Sequence, residues 1–574
     1  MKFAGALNQP LLSQIQLMGI WFMPNVRLIV AFAALSLIAI FLLPNTSAQR
    51  SAIDTYAITN TRIMTVSGST IERGTVVIRN GLIAAVGANV TAPPDARIID
   101  GAGLTVYPGL IDAYTNLALP EAAPSPSPGG GGGFFAAPPP RPAGGPNSTQ
   151  LPGLQPEIMV EDVIRPGGTE IEASRNIGIT TALTLPRSGV WMGQSALINL
   201  TGDTPQQMIV RSPVAMHVGF TPLRGSYPGS LMGVFATLRQ MMLDAQRYRD
   251  SMQVYERSPR GTRRPEVDRS LAALVPVVDG RLPVVMFANS EREISRALDL
   301  AAEFKLRLII AGGREADRLT ERLVKQNVSV LLSLNLPRRT TAAIPEADPE
   351  PLRVLRERVA AQQTAGKLAR AGVRFGFQSG SLMNMSDLLA NAARTIENGL
   401  PATDALRAFT MWPAQILGVE NQLGSIEPGK IANLTVMRGD LFDRSSRVTH
   451  VFIDGRPVDL RPAERGGPGR NNLSGQWSVT VNLGQDDRTI TLTLQQEGER
   501  LTGSISGPLG AGEISNASTS STGEVRFTVT LNVEGITKEA TFTGRFENNQ
   551  IRGSVAIVGS APGTFTATRS GQPN

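Results

Sequence analysis

Imidazoles, thiolates, carboxylates, hydroxyls and amines do most of the metal binding, carbonyl attack and proton relay in proteins. The 574-residue chain holds two histidines, His217 and His450, and no cysteine. The missing cysteine excludes thiolate metal sites, cysteine nucleophiles and disulfides. No lysine occurs between Lys2 and Lys305. A catalytic zinc ion normally takes three protein ligands, mostly imidazole, and a two-metal centre needs ligands for two ions about 3.5–4 Å apart. Asp112, Asp203 and Asp279 are dispersed along the chain and form no tight acidic cluster for magnesium or calcium. A serine nucleophile would sit in a Gly-x-Ser-x-Gly turn, and Gly193-Gln194-Ser195-Ala196 lacks the closing glycine. His217 lies on the apolar run Pro213 to Val218, which reads as a hydrogen-bonded core histidine rather than a general base.

The elements that would position these residues follow from the hydrophobic patterning. Apolar residues make up 41% of the chain, enough for real cores, and the length predicts two to four domains. Residues 52–107 read as short strands, with Asn80-Gly81 between apolar runs as a hairpin signal and Asp100-Gly101 as another turn. From residue 108 to 419, apolar strands alternate with amphipathic helices. Pro283 to Ala288, a helix from Ser290 to Phe304, and Arg307 to Ala311 form the clearest unit. Further units follow: a helix near Asp317 to Gln326, a strand Val328 to Leu334, a strand Val373 to Phe377, and a helix Ser386 to Asn398 ending at Gly399. Repeated βα units predict a parallel sheet, and a (β/α)₈ barrel fits the length. Residues 119–155 are rich in Pro, Gly and Ser, a composition expected to be disordered or a mobile flap. Strands return over residues 420–461. Strict alternation over residues 473–570 predicts a separate antiparallel barrel or sandwich.

The N-terminal residues 1–48 read as an export signal. A nearly unbroken apolar run from Val26 to Leu43 precedes Thr46 and Ala48, small residues of a cleavage site. Cleavage after Ala48 would leave a periplasmic or secreted protein, and an uncleaved run would leave an N-terminal membrane anchor. True initiation at Met18 or Met23 would shorten the leader. The net charge of +7 resides in arginine clusters beside Pro, Gly and Ser rather than among aromatics, so no nucleic-acid partner is expected.

Two motifs carry a family resemblance. Tyr107-Pro108-Gly109-Leu110-Ile111-Asp112-Ala113-Tyr114-Thr115-Asn116 resembles the first barrel strand of the amidohydrolase superfamily, in its imidazolonepropionase-like and dipeptidase-like branch. Leu423-Gly424-Ser425-Ile426-Glu427-Pro428-Gly429-Lys430-Ile431-Ala432-Asn433-Leu434 resembles that superfamily's closing signature, with Asn433 in place of the usual aspartate. The resemblance spans roughly residues 55 to 460. It implies a TIM-type barrel, a composite β domain from both flanks, and hydrolysis of C–N bonds with one or two divalent ions such as zinc. The superfamily's metal-ligand positions fall here on Tyr114 and Asn116 (strand one), Phe287 (strand five), Gly312 (strand six) and Gln378 (strand eight). Asp112 holds a slot that is more often structural.

On this reading no metal or other cofactor is expected, and no catalytic residue is nominated. Three readings stay open. The first is a divergent hydrolase of amide bonds. The second is a metal-free barrel that binds a small amide-bearing or peptide-like molecule through Tyr114, Asn116, Phe287, Gly312 and Gln378. The third is a structural protein whose C-terminal β module contacts cell-wall sugars or a partner.

Overall fold

The computed structural model describes residues 55–120, 150–337, 351–460 and 473–569, apart from a few single positions and hairpin tips inside those spans. The export signal and residues 121–149 of the Pro/Gly-rich insert lie outside the described residues.

An eight-stranded sheet is assembled from both flanks of the barrel. Tyr56–Ile63, Ile71–Arg79, Leu82–Gly87, Arg97–Asp100 and Leu104–Pro108 come from the front flank, and Leu434–Arg438, Arg447–Ile453 and Arg456–Val458 from the back. The join is an antiparallel ladder in which Leu434 faces Pro108 and Arg438 faces Leu104. Asn80 and Gly81 both take positive φ, 52° and 79°, at the tip of the second hairpin. Both residues tolerate that region, so the turn forms without strain. At the second expected turn, the positive φ of 72° falls on Gly103 rather than Gly101.

The barrel strands, in ring order, are Leu110–Thr115, Ile179–Thr184, the pair Trp191–Gln194 and Ala196–Asn199, Met216–Gly219, Val284–Ala288, Leu308–Gly312, Ser329–Ser333 and Phe375–Gln378. The first two run parallel to each other, and so do the last five. The third place departs from the (β/α)₈ expectation. There one stretch, interrupted at Ser195, runs antiparallel to both neighbours, pairing with Met216–Gly219 on one side and Ile179–Thr184 on the other. With the short strand Ile209–Arg211, which pairs antiparallel with Ala196–Asn199, the ladders of the described residues form two mixed sheets, of four and six strands. The eighth strand returns beside the first, where Gly380 N donates to Tyr114 O at 3.1 Å.

Helices cover the outside of the strands. The helix Glu291–Phe304 begins with a capping box, Ser290 and Glu293 each accepting from the other's backbone N–H, which satisfies orphan donors of the first turn. Its inner face is Ile294, Ala297, Leu298 and Ala301, all buried, the spacing of a helix with one apolar stripe. The helix expected near Asp317 to Gln326 is split into a 3₁₀ turn, Ala316–Leu319, and a short helix, Thr320–Lys325.

The end of the insert is ordered, against the expectation for residues 119–155. Leu154 is buried in the core and pairs with Trp191 as an isolated bridge. The C-terminal module is a closed eight-stranded antiparallel barrel from Gly475–Asn482 to Gly563–Arg569. Trp477, Phe527 and Phe542 fill it, the two phenylalanine rings stacked 4.8 Å apart. Among the described residues no helix is long and apolar enough to cross a membrane.

Candidate active site

TIM-type barrels build their sites where the strands end at the C-terminal face. Tyr114, Phe287, Gly312 and Gln378 all lie at or next to the last residue of their strands. The Tyr114 ring lies 6.0 Å from Phe287 and 5.8 Å from His217, centroid to centroid. A side chain at Gly380 would sit 2.7 Å from Gln378 Oε1 and 3.0 Å from Tyr114 Cδ1, so both groups border the space that this glycine leaves open. Three of the expected residues, Tyr114, Phe287 and Gln378, therefore share one end of the barrel with His217.

The other two expected residues contribute differently. Asn116 Nδ2 donates to the Leu185 carbonyl at 2.8 Å, which ties the end of the first strand to the segment after the second. Gly312 has φ 93°, and a Cβ there would lie 2.6 Å from Asn289 Oδ1. The position has no room for an imidazole as the backbone stands.

His217 was expected to be hydrogen-bonded, and it is not. It is 1% exposed, and among the described residues neither ring nitrogen has a partner. Burial pulls its pKa down to about 3, so the imidazole is neutral at ordinary pH, with one nitrogen donating and one accepting. Gln378 is fully buried, and neither of its amide atoms is partnered among the described residues. Most buried polar groups have partners, so two such residues at one end of a barrel form an unusual concentration of unused donors and acceptors. Burial also raises the pKa of Tyr114, which keeps the phenol protonated and neutral.

Asp112 is the charged group nearest to this set in sequence, and its bonds turn it to a different task. Its Oδ1 accepts from Ser379 N at 2.9 Å, and its Oδ2 accepts from Ser379 Oγ. Burial pushes its pKa up to about 6 against the opposing pull of those Ser379 bonds. The carboxylate thus fastens the eighth strand to the first. Ser379 was not singled out from the sequence; the Gln378-Ser379 pair at a strand end was the available signal.

The donor set fits a divalent ion poorly. Tyr114, Asn116, Phe287, Gly312 and Gln378 offer a phenol, two primary amides, a phenyl ring and no imidazole or carboxylate of the kind a zinc site takes, and His217 adds a single imidazole. Among the described residues no three His, Asp or Glu come together to hold an ion. His450 lies on the flank strand Arg447–Ile453, its Nδ1 3.2 Å from Thr449 Oγ1. A surface cavity of about 830 Å³ is lined by Leu243, Arg247 and Arg263, on the helix Leu231–Arg257 and the loop after it, and touches none of the residues above.

Residues 216–458 match the Amidohydrolase family. Over 58 residues, 10% of this chain, the sequence is 38% identical to an N-acetylglucosamine-6-phosphate deacetylase of Haemophilus influenzae, of whose length the match spans 15%. The crystal structure of an amidohydrolase from Thermotoga maritima MSB8 is similar over 71% of this chain and all of its own, with TM-score 0.59 and 25% identity. A Xaa-Pro dipeptidase with methionine bound in its active site matches over the same shares, with TM-score 0.42 and 15% identity.

Proposed function

Starting from an amidohydrolase-family barrel, we propose that this is an exported protein whose old metal site is degenerate and binds a small amide-bearing or peptide-like molecule without metal. The observation that carries this reading is a set of four atoms without partners among the described residues, both ring nitrogens of His217 and both amide atoms of Gln378, buried near Tyr114. A buried polar atom without a partner costs about 1–3 kcal/mol, and a ligand that carries both a donor and an acceptor relieves it. An amide group has that pair of functions. The rings of Tyr114 and Phe287 supply apolar surface beside it. Neutral His217, neutral Tyr114 and Gln378 suit an uncharged ligand better than an ion. Export rests on the apolar run Val26 to Leu43 and the small residues before Gln49.

The second reading is metal-dependent hydrolysis of C–N bonds, favoured by the family match over residues 216–458. One experiment separates the two. The full chain, purified and dialysed, is assayed for bound zinc, iron and manganese, then for binding and turnover of a panel of dipeptides and cyclic amides. We expect substoichiometric metal and saturable binding without turnover, lost in Gln378→Leu. Stoichiometric metal with turnover abolished by a chelator would overturn the binding reading.

A further inference from the structure

The opposite face of the same barrel has a cavity of about 290 Å³ among the N-terminal ends of the strands. That volume lies at the small end of ligand pockets, which run to roughly 300–1,000 Å³. Arg307 immediately precedes the sixth strand and Arg374 the eighth, and both line the cavity. The backbone fixes both positions, because Val284 N donates to Arg307 O and Val330 N donates to Arg374 O. Ser329, the first residue of the seventh strand, lies between them. Adjacent strands are about 4.8 Å apart, so two long guanidinium side chains rooted two strands apart can converge on one anion.

The rest of the lining fits that reading. Among the described residues no aspartate or glutamate lines the cavity, and Gln326, Asn327, Ser329 and Gln415 add amide and hydroxyl groups. Arg374 makes no ion pair among the described residues, and Arg307 makes only a long bond of 3.4 Å to the Arg281 carbonyl. Two arginines without carboxylate partners hold unspent charge, and guanidinium groups match the oxygens of phosphate in pairs. Pro283, Leu306 and Ile416 give the cavity an apolar wall. We infer that this cavity binds a small phosphomonoester, the phosphate held between Arg307 and Arg374 and the organic part against that wall. The site is separate from the one at the C-terminal ends and stands whether or not that one binds amides.

The test uses the full chain at low ionic strength, titrated calorimetrically with inorganic phosphate and with glycerol 3-phosphate. Saturable one-to-one binding is expected, tighter for the ester. Arg307→Gln and Arg374→Gln should each weaken it about tenfold, since a charge-assisted bond is lost, while Arg247→Gln leaves it unchanged. Because exposed charges are screened, affinity should also fall as salt is raised. Wild-type protein gives a check that needs no variant: phosphate should protect Arg307 and Arg374 from phenylglyoxal, read by peptide mass mapping. Binding that does not saturate, binding that persists in the double variant, or equal labelling with and without phosphate would each overturn the assignment.

Discussion

At the residue scale, His217 and Asp112 place opposite demands on the barrel. Burial draws the His217 pKa down to about 3, while an unfolded histidine titrates near 6.5. Between those values the unfolded chain binds the extra proton, so His217 makes stability fall as pH drops from about 6.5 towards 3. Asp112 runs the other way. Its folded pKa of about 6 lies above the 3.8 of an ordinary aspartate, so the folded state holds the extra proton in that window and stability falls as pH rises through it. The larger displacement is that of His217. His217→Phe should therefore flatten the acid limb of a denaturation-against-pH curve. The same change removes two unpartnered polar atoms, and should leave the ligand-free protein as stable or more so while abolishing binding at this end of the barrel. A variant that loses several kcal/mol at neutral pH would show that His217 has a partner in solution.

The elements divide into those whose sequence pattern encodes burial alone and those whose partners it also encodes. Helix Glu291–Phe304 and its neighbouring strands were legible, because Ser290 and Glu293 mark the start and the apolar spacing marks one face. The antiparallel third strand was not. An apolar run such as Ala196–Asn199 reports that a strand is covered on both sides and is silent about its direction. Strand-end positions were legible, since Tyr114, taken from the first motif, and Phe287 and Gln378, taken from the superfamily's ligand positions, all lie at or next to the last residue of a strand. Hydrogen bonding was not, since whether His217 meets a partner depends on residues distant in sequence. Asn433 illustrates the same point. It donates to Thr181 Oγ1 and Asn199 Oδ1 and accepts from Asp454 N, joining the flank sheet to the barrel. Asn433→Ala strands those groups and should cost roughly 1–3 kcal/mol or more, read by urea denaturation. An unchanged midpoint would show that water replaces the amide.

For the whole molecule, the C-terminal barrel is closed and has its own aromatic core. A closed sheet leaves no edge to pair. Residues 473–570 expressed alone should give a β-rich circular dichroism spectrum and one cooperative thermal transition. A fragment without a transition would show that the module relies on the rest of the chain.

The ladder between Leu104–Pro108 and Leu434–Arg438 also sets a timetable. During synthesis at ~5–20 residues per second, the front strands leave the ribosome tens of seconds before their mates exist. Throughout that interval they carry an open hydrogen-bonding rim, the condition under which chains stick to one another. Nascent copies of this protein should therefore lean on holding factors until the strands from Leu434 to Val458 have been made, and a stop codon placed before Leu434 should yield insoluble product rather than a smaller soluble one.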